Sequence, residues 1–362
     1  VTAPTPCTLE RPPAAPDRHH RLGKPFRLGF FTHAAHRPGQ RPAELYAQLV
    51  DTVVAAEELG YQSAWVGQHH FGLGNGSLPS PLILMAHLAA RTKTIHLGTA
   101  VTTLPLEDPI RLAEDAAVLD SLSGGRIHLG LGSAGGDRTS FPAFGRAHAD
   151  RRETYARNLS VLHRLLDGGV VGAPENPVGL FPPAPGLRER LWQAASSVER
   201  ARKAARDGDG LMIGSLHDRP AEDQLPRVLA YLDEWEAAQG PGRAPRIAAM
   251  RFAYWGRDKE DVLRRVGPEL ARRQAASGAV DPLLPGLSPR AYLERLACFG
   301  SPGDVTAGFL ADPALLGYVT DFLPSVGLYP AAGDGTPGAD LDIARLERFA
   351  RDIAPALGWG AA

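Results

Sequence analysis

The sequence predicts an α/β protein built as one closed (β/α)8 barrel, a TIM barrel, with insertions at its mouth. Three observations predict it. Short apolar runs alternate with amphipathic helical stretches eight times, and parallel strands joined in this way need helical crossovers that cover the sheet. The 362 residues exceed one open domain but suit a barrel with insertions. Hydrophobic residues make up 44% of the chain, enough for a sizeable buried core.

The elements follow in order. Phe26-Arg27-Leu28-Gly29-Phe30-Phe31 is a first strand ending at the polar Thr32-His33. Leu45, Leu49, Val53 and Ala56 form one stripe of a helix over 43–60, stopped by Gly60. A second strand spans 62–67, and a helix 82–91 leads to a third strand at 95–101. Pro109 suits the first turn of a helix over 109–122, after which Ser123-Gly124-Gly125 turns the chain into a fourth strand at 126–131. Strands at 191–195, 210–213, 246–254 and 318–323 alternate with helices at 198–206, 226–239, 258–274 and 341–354. The proline-bearing segments 169–190 and 276–300 read as loops over the barrel mouth, where such folds keep their active sites.

Residues 1–25 hold six prolines, scattered charges and no apolar core segment, so they read as a disordered tail rather than a signal peptide or anchor. One domain, 26–357, follows. Lys and Arg total 39 against 40 Asp and Glu, leaving no basic field for nucleic acid or an anionic membrane. Cys7 and Cys298 are the only cysteines, which excludes a disulfide framework or a thiolate cluster and fits two free thiols in a reducing cytoplasm.

Gln68-His69-His70-Phe71 lies just past the second strand, on the rim that is catalytic in barrels. Adjacent histidines in extended chain point to opposite faces, and no carboxylate stands beside them at helical spacing, so the reading includes no metal. Both could equally be structural histidines at a strand end. Gly130-Leu131-Gly132-Ser133-Ala134-Gly135-Gly136 contains G-x-G-x-x-G, but no helix opens at once, which argues against a dinucleotide fingerprint. It reads as a loop that something flat, or a phosphate, approaches closely. Ser196-Ser197 precedes a helix; such serines cap helices, and helix N-termini also hold phosphates. Both readings stand from the residues alone.

Taken together, an ordered set of motifs becomes recognisable: Ala56-Glu57-Glu58-Leu59-Gly60-Tyr61, Trp65, Gln68-His69-His70-Phe71, Leu97-Gly98-Thr99, Leu104-Pro105, Asp108-Pro109, Ser123-Gly124-Gly125-Arg126 and Phe144-Gly145. The set resembles the bacterial-luciferase-like flavin monooxygenases, and most of all an FMN-dependent branch of that family. The likeness is strong over 26–168 and weaker from 191 to about 325.

That resemblance implies reduced FMN delivered by a separate flavin reductase, O2, a C4a-peroxyflavin, and oxygenation of a small organic substrate. His69 matches the family's catalytic histidine, and an imidazole suits proton transfer near neutral pH. Ala100-Val101 matches a cis peptide beneath the flavin ring. Ser196-Ser197 and Gly132-Ser133 match phosphate-binding positions. Luciferase has an arginine at the Ser133 position; its absence leaves Arg138 or Arg146 to replace it. Luciferase has Glu where Gln68 stands, so its aldehyde specificity does not carry over. A homodimer is also implied, with Ala113, Ala116 and Ala117 offering close approach, although core packing explains those alanines equally well. Two alternatives share the barrel: a deazaflavin-dependent oxidoreductase that moves a hydride without oxygen, and a non-catalytic flavin-binding protein. A metal hydrolase is disfavoured by the missing ligand pattern.

Overall fold

The computed structural model describes residues 26–36, 39–72, 76–134, 137–214, 218–276, 287–325 and 338–360. The expected tail 1–25, with Cys7, lies outside them, as do Gly135 and Gly136.

All eight expected strands form, and they close a barrel. Its staves are β1 (Arg27–Thr32), β2 (Ser63–Val66), β3 (His96–Thr99), then β5 (Ile127–Gly132) after a two-residue β4 (Thr102–Thr103). β8 (Leu191–Ala194), β9 (Gly210–Ile213), β10 (Ile247–Trp255) and β12 (Asp321–Ser325) complete the ring. Neighbours pair in parallel around the ring, and β12 returns to β1 with Leu28 opposite Phe322. Outside stand α1 (Pro42–Glu58), α2 (Pro81–Arg91), α3 (Pro109–Ser123), a short α4 (Ser140–Ala143), α5 (Arg151–Leu166), α6 (Val198–Asp207), α7 (Leu225–Gln239) and α8 (Lys259–Ala276). The C-terminal part adds α9 (Pro289–Leu296), α10 (Pro302–Ala311) and α11 (Gly338–Asp352). Among the described residues, no helix is long and apolar enough to cross a membrane.

Three corrections concern the loops and α3. Segment 169–190 does not cover the mouth. It connects α5 to the start of β8, and a helix-to-strand connection lies at the N-terminal end of a barrel, opposite the catalytic rim. It carries an antiparallel hairpin, β6 (Val170–Ala173) with β7 (Asn176–Gly179). Its Arg190 binds the Asp120 carboxylate at 2.6 Å and the Ile127 carbonyl at the foot of β5. Segment 276–300 holds α9 and a further strand, β11 (Ala297–Gly300), paired in parallel with the far half of β10; residues 277–286 lie outside the described set. Phe252, Val262, Tyr292, Leu293 and Phe299 bury one another there as a satellite core. Finally, Ala113, Ala116 and Ala117 are fully buried within the chain itself, so they cannot meet a second copy.

The barrel interior is layered. At its base Arg27 pairs with Asp321 at 2.9 Å, and the His96 and His128 rings meet at 3.0 Å. Above this, Phe31, Trp65, Trp192, Met212, Ala248 and Leu323, one from each of six strands, form an apolar plug. The two indoles meet edge to face at 5.6 Å. Glycines make room for them: a Cβ on Gly98 would stand 2.2 Å from the Trp65 ring, and one on Gly210 2.3 Å from the Trp192 ring.

Candidate active site

Above the plug, the C-terminal ends of the strands gather the unusual backbone. Among the described residues, the non-glycine positions with positive φ are Ala34 (52°), Phe71 (58°) and Ala134 (52°), which follow β1, β2 and β5 at one rim. Left-handed backbone is disfavoured for side chains with a Cβ and clusters at functional sites. The Ala100–Val101 peptide after β3 is cis, as the alignment of that strand implies. Gly132 lets β5 approach this turn, since a Cβ there would lie 2.3 Å from Val101 Cγ2. Ala100 and Val101 rest on the indole plug.

His69 is partly buried where the chain leaves β2. Its amide donates to the Leu78 carbonyl at 2.9 Å. Its Nε2 lies 3.0 Å from Nδ1 of His33, which follows β1. Gly76 passes over the ring so closely that a Cβ would sit 2.2 Å from His69 Cδ2. Burial lowers the pKa of His69, the Asp137 carboxylate raises it in part, and neighbouring His70 lowers it further. His69 is therefore neutral at neutral pH. His70 is buried against Phe144, with ring centroids 4.7 Å apart, and burial depresses it too, against Glu107 and Asp137. Gln68 ties the rim together: its amide donates to Glu107 at 2.7 Å and accepts from the Thr103 N–H at 2.6 Å. Glu107 thus sets a carboxylate beside Gln68.

Across the rim, Ser133 and Ser197 frame the start of α6. Ser197 caps the helix, its hydroxyl accepting from the Arg200 N–H at 3.3 Å. Ser196 and Ser197 are both exposed. Arg200, in the first turn, sends Nη1 to Ser133 Oγ at 2.9 Å and lies over the Tyr155 ring at 5.4 Å. Burial lowers its pKa, Tyr155 opposes that, and Arg152 and Arg151 lower it again by like charge. Of the two expected replacement arginines, Arg146 is bonded to the Pro105 carbonyl at 2.6 Å and Arg138 is exposed. Sequence reasoning missed Arg200, which reads as an ordinary surface arginine, and His33, which reads as a strand end. Among the described residues, His163, Asp207 and Asp209 have metal-ligating proximity, but Lys203 and Arg188 already neutralise the two carboxylates.

The model of the luciferase-like monooxygenase family matches residues 26–311. A protein of Sinorhizobium fredii, y4vJ, is 32% identical over 231 residues, 62% of this chain and 64% of that protein. The 4-hydroxyprotoasukamycin monooxygenase of Streptomyces nodosus subsp. asukaensis is 38% identical over 141 residues, 39% of this chain and 38% of that enzyme. These matches cover less than two thirds of the relatives' length. In fold, the chain is similar to monooxygenase RslO1 of Streptomyces bottropensis, with a TM-score of 0.76 at 22% identity, over 91% of this chain and 99% of that one. The oxygenating constituent of 3,6-diketocamphane monooxygenase from Pseudomonas putida, solved with FMN, gives 0.69 at 17% over 91% and 98%. An F420-dependent secondary alcohol dehydrogenase gives 0.65 at 16% over 92% and 99%. With a family match across more than half its length, this chain belongs to the luciferase-like monooxygenases.

Proposed function

We propose that the chain is an FMN-dependent monooxygenase that uses reduced FMN and O2 to oxygenate a small organic substrate. The observation that carries this reading is the Arg200–Ser133 contact beside the N-terminus of α6, on the same rim as His69. Free helix N–H groups, a hydroxyl and a guanidinium with no carboxylate partner among the described residues suit a phosphate monoester. Gly130 and Gly132 let β5 pack against the turn that carries Ala100 and Val101, since a Cβ would stand 2.1 Å from the Thr99 carbonyl oxygen and 2.3 Å from Val101 Cγ2. When bound, reduced FMN supplies the electrons that activate O2. In this reading Arg200, Ser133 and the Ser196-Ser197 turn hold the phosphate, Ala100 and Val101 support the ring, and His69 moves a proton as a neutral imidazole. Phe71 and Phe144, both exposed with centroids 5.9 Å apart, favour an apolar substrate at the entrance.

The remaining assignments follow from the same reading. A separate flavin reductase supplies the reduced cofactor in the cytoplasm. The chain pairs as a homodimer through α2 and α3, whose packed helices expose Ile83, Ile110, Val118 and Leu122. The fold likeness to the F420-dependent dehydrogenase favours one second reading, hydride transfer with a deazaflavin. The test is oxygen uptake by the purified chain with FMN, a flavin reductase, NADH and a panel of apolar substrates, beside a parallel assay with reduced F420. Substrate-dependent oxygen uptake with product carrying one oxygen from O2 supports the proposal. Turnover with F420 alone, without oxygen, replaces it with the second reading.

A further inference from the structure

The His33–His69 contact joins two imidazoles at the rim, as His96 and His128 are joined at the base. At 3.0 Å between Nδ1 of His33 and Nε2 of His69, one hydrogen must lie between the two nitrogens, since two bare lone pairs or two N–H groups would repel. Two neutral arrangements satisfy this. In one, His33 donates and His69 carries its own proton on Nδ1. In the other, His69 donates, leaving its Nδ1 bare and basic. The difference between them is a single proton shifted along the contact.

We propose that His33 is the positioning residue of the site: it fixes the His69 ring and shares one proton with it, so that the two titrate as a dyad. A proton arriving at His69 Nδ1 is balanced by passage of the bridging proton from His69 Nε2 to His33 Nδ1. His69 ends neutral, with its proton on Nδ1, and the positive charge comes to rest on His33. The return step reverses this, so no oxidant or other co-reactant is needed. A second added proton is opposed, because two imidazolium rings would face each other donor to donor. The surroundings suit this role. His33 is set edge-on to Phe31 at 4.6 Å and parallel to Phe252 at 6.3 Å, so its plane is defined by packing. The pair is clasped by the Gly76 turn, where a Cβ would meet both His69 Cδ2 and the His33 carbonyl at under 2.5 Å. Among the described residues, the charged and titratable groups facing His69 include His33 after β1, His70 beside it and Asp137 after β5; Glu107 and Asp137 act on His70.

This inference deepens the reading of His69 as the acid–base residue, yet it is testable without flavin. The experiment is a ¹⁵N NMR titration of the histidine rings in the flavin-free full chain, for wild type, His33→Gln and His33→Phe. In wild type, both rings move together at one midpoint as a single proton is taken up. His33→Phe removes the acceptor for the protonated His69 Nε2–H, so the His69 midpoint falls by about one unit or more. His33→Gln retains an acceptor oxygen and restores part of that shift, without the coupled titration. The acid limb of the activity profile moves in the same order, while FMN affinity stays within about twofold. Independent midpoints in wild type, or a His69 titration unchanged in both variants, overturn the dyad. If the dyad titrates as described and the chain consumes no oxygen with FMN, the proposed function fails while the dyad stands.

Discussion

Trp192 donates its indole N–H to His128 Nδ1 at 2.9 Å, and this bond sets the tautomer of a buried chain. With Nδ1 accepting, the His128 proton sits on Nε2 and points at His96 Nδ1, 3.0 Å away. Burial, with His96 and nearby arginines adding like charge, holds His128 well below its ordinary pKa of 6.5. Above pH 6.5 both folded and unfolded states are neutral there. Below it the unfolded chain takes a proton that the folded chain refuses, so stability falls as pH falls, by about 1.4 kcal/mol per unit for this group. Urea titrations at pH 7, 6 and 5 should show the decline. His128→Gln, which can keep both hydrogen bonds without titrating, should make it shallower. An equal slope in the variant would contradict the assignment.

Ser197 serves the helix through its cap, and in the proposed reading it also borders the phosphate. Ser197→Ala should cost about 1 kcal/mol of stability. Ser197→Asp keeps a good cap but sets like charge beside the phosphate, so it should hold stability while weakening FMN about tenfold or more. Fluorescence titration with FMN, and with riboflavin as the phosphate-free control, checks this. Riboflavin binding should barely change.

His69 and His70 should separate by phenotype. His69→Ala should lower kcat about 10²–10⁴-fold with FMN affinity nearly intact. His70 packs on Phe144 and should act mainly on stability, so His70→Ala should lower Tm with a much smaller loss in kcat. Equal kinetics for His69→Ala and wild type would remove His69 from the chemistry.

The homodimer prediction rests on exposed side chains of α2 and α3, since the alanines first considered are core. Light scattering should give about twice 38.6 kDa. Leu122→Glu with Ile83→Glu should return the mass to one chain, because two buried charges oppose association. A wild-type mass of one chain refutes it.

Gly98→Ala should be costly although it adds one methyl. Its Cβ would meet the Trp65 ring, which has no room to retreat inside the plug. A loss of about 1–3 kcal/mol or more in urea unfolding is expected, with a shift in tryptophan fluorescence. A neutral effect would mean that the layer is looser than its geometry.

The barrel was legible because strands buried on both faces read as apolar runs and their helices read as stripes. The β6–β7 hairpin was hidden by Gly, Pro and Asn in strands that stay exposed. β11 was hidden by its brevity, as Ala-Cys-Phe-Gly after a proline-rich stretch. The placement of 169–190 went wrong on composition, where connectivity decides: a segment leading into a strand lies at that strand's foot. In the site, His69 and Ser197 carry motif and cap signals of their own. His33 and Arg200 acquire meaning only when β1 meets β2 and α6 meets β5, pairings separated by 36 and 67 residues.

The edge-to-face indoles of Trp65 and Trp192 have a consequence for traffic. With both rings fully buried and six strands contributing to the layer, the axis of the barrel is stoppered from below. Among the described residues this layer closes the axis, so whatever reacts at the rim comes and goes from the C-terminal side. Whatever seats deepest has to arrive first and depart last, so arrivals are ordered by depth and not by affinity alone.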